Sequence, residues 1–144
     1  MHQIGIITIH KINNYGSVFQ AYALQKVCED MGYKVEIIDY TFPNIQHNNN
    51  RHAVSSDSHP KEPRWIKILF SRALLRQHRG IANFVQKYQH LSPCSYDSPE
   101  MLKINPPQYD VYVTGSDQLW SPRHCNGDPA FMLHFAPDSA LKIS

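Results

Sequence analysis

Residues 4–9 form a near-continuous apolar run, Ile4-Gly5-Ile6-Ile7-Thr8-Ile9. A β-branched run of this kind fits a parallel strand buried on both faces. A polar turn follows, Lys11-Ile12-Asn13-Asn14-Tyr15-Gly16. Ser17 then stands three residues before Gln20, the spacing of a capping box, so a helix is expected to open there. Leu24, Val27, Cys28 and Met31 recur at i, i+3, i+4 and i+7, which predicts the buried stripe of that helix. Gly32 falls where a helix-terminating glycine belongs. Residues 35–40, Val-Glu-Ile-Ile-Asp-Tyr, read as a second strand. Strand, helix and strand in this order form a βαβ crossover, which favours a parallel sheet.

The pattern changes after Phe42. Residues 44–63 contain Asn48-Asn49-Asn50, Ser55-Ser56, Pro60 and Pro63 and almost no apolar side chains. They read as a flexible polar loop, because too little surface is available to offset the entropy of ordering. Residues 64–77 follow as a basic amphipathic helix, with Trp65, Ile66, Leu69, Phe70, Ala73 and Leu74 on one face. A second helix is expected over 80–90, with Ile81, Phe84, Val85 and Tyr88 inward. Residues 93–107 read as loop with a short helical turn at 100–103, stopped by Pro106-Pro107. Residues 110–114 predict a third strand. Residues 141–144 predict a fourth, and the stretch between them is rich in Pro and Gly and reads as irregular.

The chain has 144 residues, enough for one domain and too few for a two-domain enzyme. Its net charge is only +2, but residues 51–90 carry eight basic and two acidic side chains. Such a basic middle suits either an anionic partner or a solvated helical face. For residues 64–79 the two readings are peripheral contact with an anionic membrane surface and packing against protein. Cys28, Cys94 and Cys125 show no zinc-ligand or CxxC spacing, which suits a reducing, cytoplasmic setting. The N-terminus lacks a signal-peptide pattern, and no apolar run has the length of a membrane span. His47, His52 and His59 have no ligand spacing, so no metal is expected, and no cofactor or nucleic-acid partner is expected either.

Ligands of parallel α/β sheets bind beyond the carboxyl ends of the strands. Two polar turns hold that position. In the first, Asn14, Tyr15, Gly16, Ser17 and Gln20 surround a helix N-terminus, suited to a sugar hydroxyl or an anion as well as to simple capping. In the second, Gly115, Ser116, Asp117 and Gln118 follow a strand and precede Trp120. Asp117 can take a proton from an attacking hydroxyl, and Trp120 can stack on a sugar ring or fill a core. Asp39 ends the second strand, where a ribose-binding acid sits in dinucleotide sites. The first turn, however, is not G-x-G-x-x-G, since Asn13 and Tyr15 fill positions that must be small. Neither a nucleophile elbow nor a P-loop is present.

The segments IGIITIHKINNYGSVFQAYALQKVCEDMGYKVEIIDY and PPQYDVYVTGSDQLWSPRHCNGDPAFMLHFAP resemble the polysaccharide pyruvyl transferase family. The Asn-Tyr-Gly-Ser and Gly-Ser-Asp-Gln-Leu-Trp turns match in order, and the resemblance covers nearly all of the chain outside the polar loop. It implies an enzyme that moves the enolpyruvyl unit of phosphoenolpyruvate onto a sugar of a cell-surface polysaccharide, commonly as a ketal. It also implies a Rossmann-like parallel α/β sheet with flanking helices, the N-terminal half of a GT-B-like two-domain enzyme. The donor groups of such enzymes lie mainly in the other half, so residues 1–144 are expected to be a truncated acceptor half, inactive alone. Asp117 is the expected catalytic group. Asn14, Tyr15, Gly16, Ser17, Gln20, Gly115, Ser116, Gln118 and Trp120 are the expected acceptor contacts. Two other readings stay open: the acceptor domain of a nucleotide-sugar glycosyltransferase, and a non-catalytic remnant or interaction domain. An open sheet edge also leads to an expectation of self-association.

Overall fold

The structure, a computed structural model, describes residues 2–42, 64–115, 119–121, 125 and 127–144, with residues 64–70 described in their backbone only. The polar loop expected over 44–63 lies outside the described residues.

Five strands form one all-parallel sheet: β1 (Gln3–Ile7), β2 (Lys34–Tyr40), β3 (Leu91–Tyr96), β4 (Val111–Thr114) and β5 (Leu141–Ile143). Their order across the sheet is β3-β2-β1-β4-β5. This is the order of a doubly wound fold, with the reversal of direction between β1 and β4. The strands predicted at 110–114 and 141–144 are therefore the fourth and fifth, because the loop expected from residue 93 onward contains β3. Pro93 hid that strand from the sequence. It is tolerated because β3 lies at the sheet edge, where a missing N–H breaks no ladder. The helical turn expected near residue 100 is present as the short helix described below. At the opposite edge all three residues of β5 are exposed.

Side chains alternate between two faces of the sheet. On one face Ile4, Ile6, Val35 and Ile37 pack under Ala21, Leu24 and Cys28 of helix α1 (Tyr15–Asp30). On the other, Ile7, Ile38, Tyr40 and Tyr112 pack with Leu102 of α3 (Pro99–Ile104) and with Leu119, Cys125, Phe131 and Phe135. The irregular stretch before β5 thus supplies the second layer of the core without a long helix of its own. Gly5 is required on this face, because a methyl there would overlap the Tyr109 ring.

Helix α2 (Arg64–Tyr88) is one 25-residue helix, not the two predicted with a break near 80. Gly80 lies in its interior with open space where a side chain would project, so it costs helix propensity without forcing an end. Ile81 and Val85 of α2 pack on Val18 of α1, and Phe84 meets both Phe19 and Tyr22 edge-on.

Helix α1 differs from its predicted start and stripe. Asn14 is the N-cap, and its side chain accepts the Gly16 N–H at 2.8 Å. The helix therefore begins two residues before Ser17, and the Ser17–Gln20 capping box does not form. Val18, Ala21 and Gln25 are its buried residues, whereas Val27 and Met31 are exposed. The stripe is rotated because Gln25 is buried for its polar bonds: its amide reaches Glu29, and its oxygen accepts the His90 N–H at 2.9 Å. A periodicity count restricted to apolar residues misses that position. The C-terminus follows prediction. Gly32 adopts φ +91°, its N–H reaches Glu29 O at 2.8 Å and the Tyr33 N–H reaches Cys28 O at 3.2 Å, a complete Schellman motif.

Candidate active site at the carboxyl rim of the sheet

The turns after β1 and β4 leave the sheet side by side. Ile7 and Thr114 are register partners at the ends of these strands. The Gly115 N–H reaches Ile7 O at 3.4 Å, and the Thr8 hydroxyl donates back to Gly115 O at 3.1 Å. This tie falls at the reversal of strand order, where parallel α/β folds open their ligand crevice. Thr8 is buried, and so is Thr114, whose hydroxyl has no hydrogen-bond partner among the described residues. An orphaned hydroxyl at a strand end invites either a ligand or an ordered water.

One side of the rim is the N-terminus of α1. Asn14, Tyr15 and Gly16 are exposed, Ser17 is half-buried and Gln20 is exposed on the next turn. Tyr15 and Phe19 stack at 6.1 Å between ring centroids, and each is about half exposed. On the other side stands Gly115, over which the Leu24 side chain packs so closely that a methyl would sit 2.6 Å from it. Gly115 is therefore explained by the seating of α1 without appeal to a ligand. Trp120 is part-exposed at 36% and is not a core tryptophan. Ser116, Asp117 and Gln118, including the expected catalytic carboxylate, lie outside the described residues.

Next to this crevice, the ends of β1, β2 and β3 share a buried charged cluster that sequence reasoning did not assemble. Asp39 is buried and accepts from Lys11 Nζ at 2.7 Å and Ser95 Oγ at 2.6 Å, with His10 Nε2 at 3.2 Å. The other ring nitrogen of His10, itself fully buried, lies 3.1 Å from Thr8 O. Burial alone would raise the Asp39 carboxyl, but hydrogen bonds from His10, Lys11 and Ser95 outweigh it and hold the group well below the usual carboxylate range. Asp39 is thus satisfied by its own chain, and no oxygen is left over for a ribose. The available signal was a histidine and a lysine just past one buried strand and an aspartate ending the next. Pairing them required the strand order.

Behind the cluster, the Tyr40 hydroxyl donates to Asp128 at 2.6 Å, and Asp128 also accepts the Ala130 N–H at 2.9 Å. Burial first and the Asp128 carboxylate second push the Tyr40 hydroxyl far above its ordinary value, so it remains a fixed donor. The bond anchors the turns after Gly127 to the end of β2. A separate groove of about 300 Å³ lies beneath the 105–109 segment, against Gln3, Glu36, Ser92 and Tyr109. It is away from the Thr8–Gly115 rim and brings none of the expected site residues together. Among the described residues, no group of three or more His, Cys, Asp or Glu side chains could hold a metal ion.

The fold is a doubly wound parallel α/β domain in which the turns after β1 and β4 leave the sheet side by side where the strand order reverses. Within that class, the family model described as polysaccharide pyruvyl transferase matches residues 14–142. The chain belongs to the polysaccharide pyruvyl transferase family, a family of transferases. No curated protein and no solved structure matches it.

Proposed function

We propose that this chain forms the acceptor-binding half of an enzyme that transfers a pyruvyl group from phosphoenolpyruvate to a sugar of a cell-surface polysaccharide. The observation that carries the reading is the Thr8–Gly115 tie. It joins the two turns that resemble the family at a single rim, at the point where the strand order reverses. Sugars need flat apolar surface together with groups that both donate and accept. Tyr15 and Trp120 offer the first, and Gln20 and the Thr114 hydroxyl offer the second.

In this reading Asp117 takes the proton of the attacking sugar hydroxyl. That oxygen bonds to the enol carbon of phosphoenolpyruvate, and the methylene carbon gains a proton to become a methyl group. A second sugar hydroxyl then displaces phosphate and closes the ketal. Donor-binding groups come from a second Rossmann-like half, as in GT-B-like enzymes.

The test is Asp117→Ala in a form of the enzyme that turns over, assayed for phosphate release with phosphoenolpyruvate and acceptor. A loss of at least about 100-fold in kcat with little change in KM is expected for a general base. Activity within a few-fold of wild type removes Asp117 from the mechanism. Turnover with a nucleotide sugar and none with phosphoenolpyruvate replaces the reading by a glycosyltransferase.

A further inference from the structure

Helices α1 and α2 run in the same direction. Phe19 and Tyr22 meet Phe84, Tyr22 meets Tyr88, and the Gln25 amide reaches Tyr88 O, so positions advance together along both helices. By that register Tyr15, the first residue of α1, lies level with about residue 80 of α2. Roughly 15 residues of α2 therefore extend past the start of α1, on the order of 20 Å at the rise of an α-helix. The overhang lies at the carboxyl rim of the sheet, because α1 starts there.

The surface of the overhang is unusual for a helix facing only water. Leu74 and Leu75 are each more than half exposed. Leu74 stands seven residues before Ile81, so it continues the stripe that α1 covers further along and no longer covers here. Arg72, Arg76 and Arg79 recur at i, i+4 and i+7 and are all exposed; they flank Leu75 and lie on the side of the helix opposite Leu74. Helix α2 contains six Lys and Arg residues and no Asp or Glu over its whole length. An exposed helix with leucines on one side and only cations on the other complements an anionic lipid interface, where leucines enter the acyl boundary and guanidinium groups meet phosphates. A nucleic acid would use the arginines and leave the leucines in water. No helix among the described residues is long and apolar enough to cross a membrane, so contact would be peripheral.

We propose that the overhanging half of α2 docks this chain on an anionic lipid surface, lying along it. The inference does not depend on the chemistry performed at the rim. Its test is co-sedimentation with phosphatidylcholine vesicles, with and without 30 mol% phosphatidylglycerol, at low and high salt. Retention is expected on the anionic vesicles only and is expected to fall with salt. Arg72→Gln/Arg76→Gln/Arg79→Gln should weaken it on the order of 100-fold, at about fivefold per cation. Leu74→Ser/Leu75→Ser should weaken it as well, with the far-ultraviolet spectrum and melting curve unchanged. Equal retention on neutral vesicles, or retention that survives both variants, overturns the proposal. So does tighter binding to a DNA duplex than to the vesicles. Sedimentation without vesicles that the leucine variant abolishes also overturns it, since the face is then a contact between copies of the chain.

Discussion

The Thr8 hydroxyl donates to Gly115 O at 3.1 Å across the point where the sheet reverses its strand order. It is a short-range bond between positions 107 apart in sequence. It fixes the spacing of the two turns that follow β1 and β4. Thr8→Val keeps the shape and removes the donor. We expect a loss of about 1 kcal/mol, read as a shift in the urea midpoint at constant slope. In an active form of the enzyme, acceptor KM should rise more than kcat falls. An unchanged midpoint and KM would mean that the tie holds nothing.

Asp39 is the most heavily bonded ionised group of the rim. Asp39→Asn removes the charge that faces Lys11 and His10; Lys11 is part-exposed and can turn to water, so the loss should be about 2 kcal/mol, that of hydrogen bonds to a charged group. The acid limb follows from the direction of the shift. The folded carboxyl titrates below its unfolded value of about 3.9, so the unfolded chain binds this proton first. The stabilisation is present in full above about pH 5 and is lost as the pH falls further toward the folded value. Urea midpoints of wild type should therefore drop between pH 5 and pH 2 more steeply than those of Asp39→Asn. Parallel slopes would show that Asp39 is not held low.

The start of α1 gives a paired prediction. Asn14→Ala removes the side chain that caps Gly16 N–H and should cost about 1 kcal/mol. Ser17→Ala, inside the first turn, should stay within about 0.5 kcal/mol of wild type, since alanine is the better helix former there. The reverse order in thermal melts would restore the cap to Ser17.

How far the sequence could be read follows from which signals are local. The βαβ start, the Gly32 terminus and the buried Ile run were legible because each depends on neighbours in the chain. The first turn of α1 was misplaced because Asn14 and Ser17 are both good caps, and the choice is made by where the chain leaves β1. Residues 64–77 and 80–90 read as two helices because the α1 face that carries α2 through as one is not visible in the sequence. Strand β3 was lost because Pro93 and Ser95 read as loop until the edge position is known. The candidate site was legible as two turns, but the cluster of His10, Lys11, Asp39 and Ser95 was not. Its members come from the turn after β1 and from β2 and β3, whose adjacency is a property of the sheet.

Thr114 separates stability from function. Its hydroxyl is buried at the end of β4 with no partner among the described residues. Thr114→Val replaces it with an apolar group of the same shape. Removing an unsatisfied polar group in this way is neutral or stabilising, so the urea midpoint should hold or rise by the equivalent of up to about 1 kcal/mol. If the hydroxyl is kept for the acceptor, the same variant should bind acceptor about tenfold more weakly, the worth of one hydrogen bond in a desolvated crevice. Calorimetry with the acceptor sugar alongside the urea titration reads both. A stabler variant with weaker acceptor binding places Thr114 in the crevice. A stabler variant with unchanged binding makes the hydroxyl a packing defect of the strand end. A less stable variant shows that the hydroxyl has a partner in the free protein.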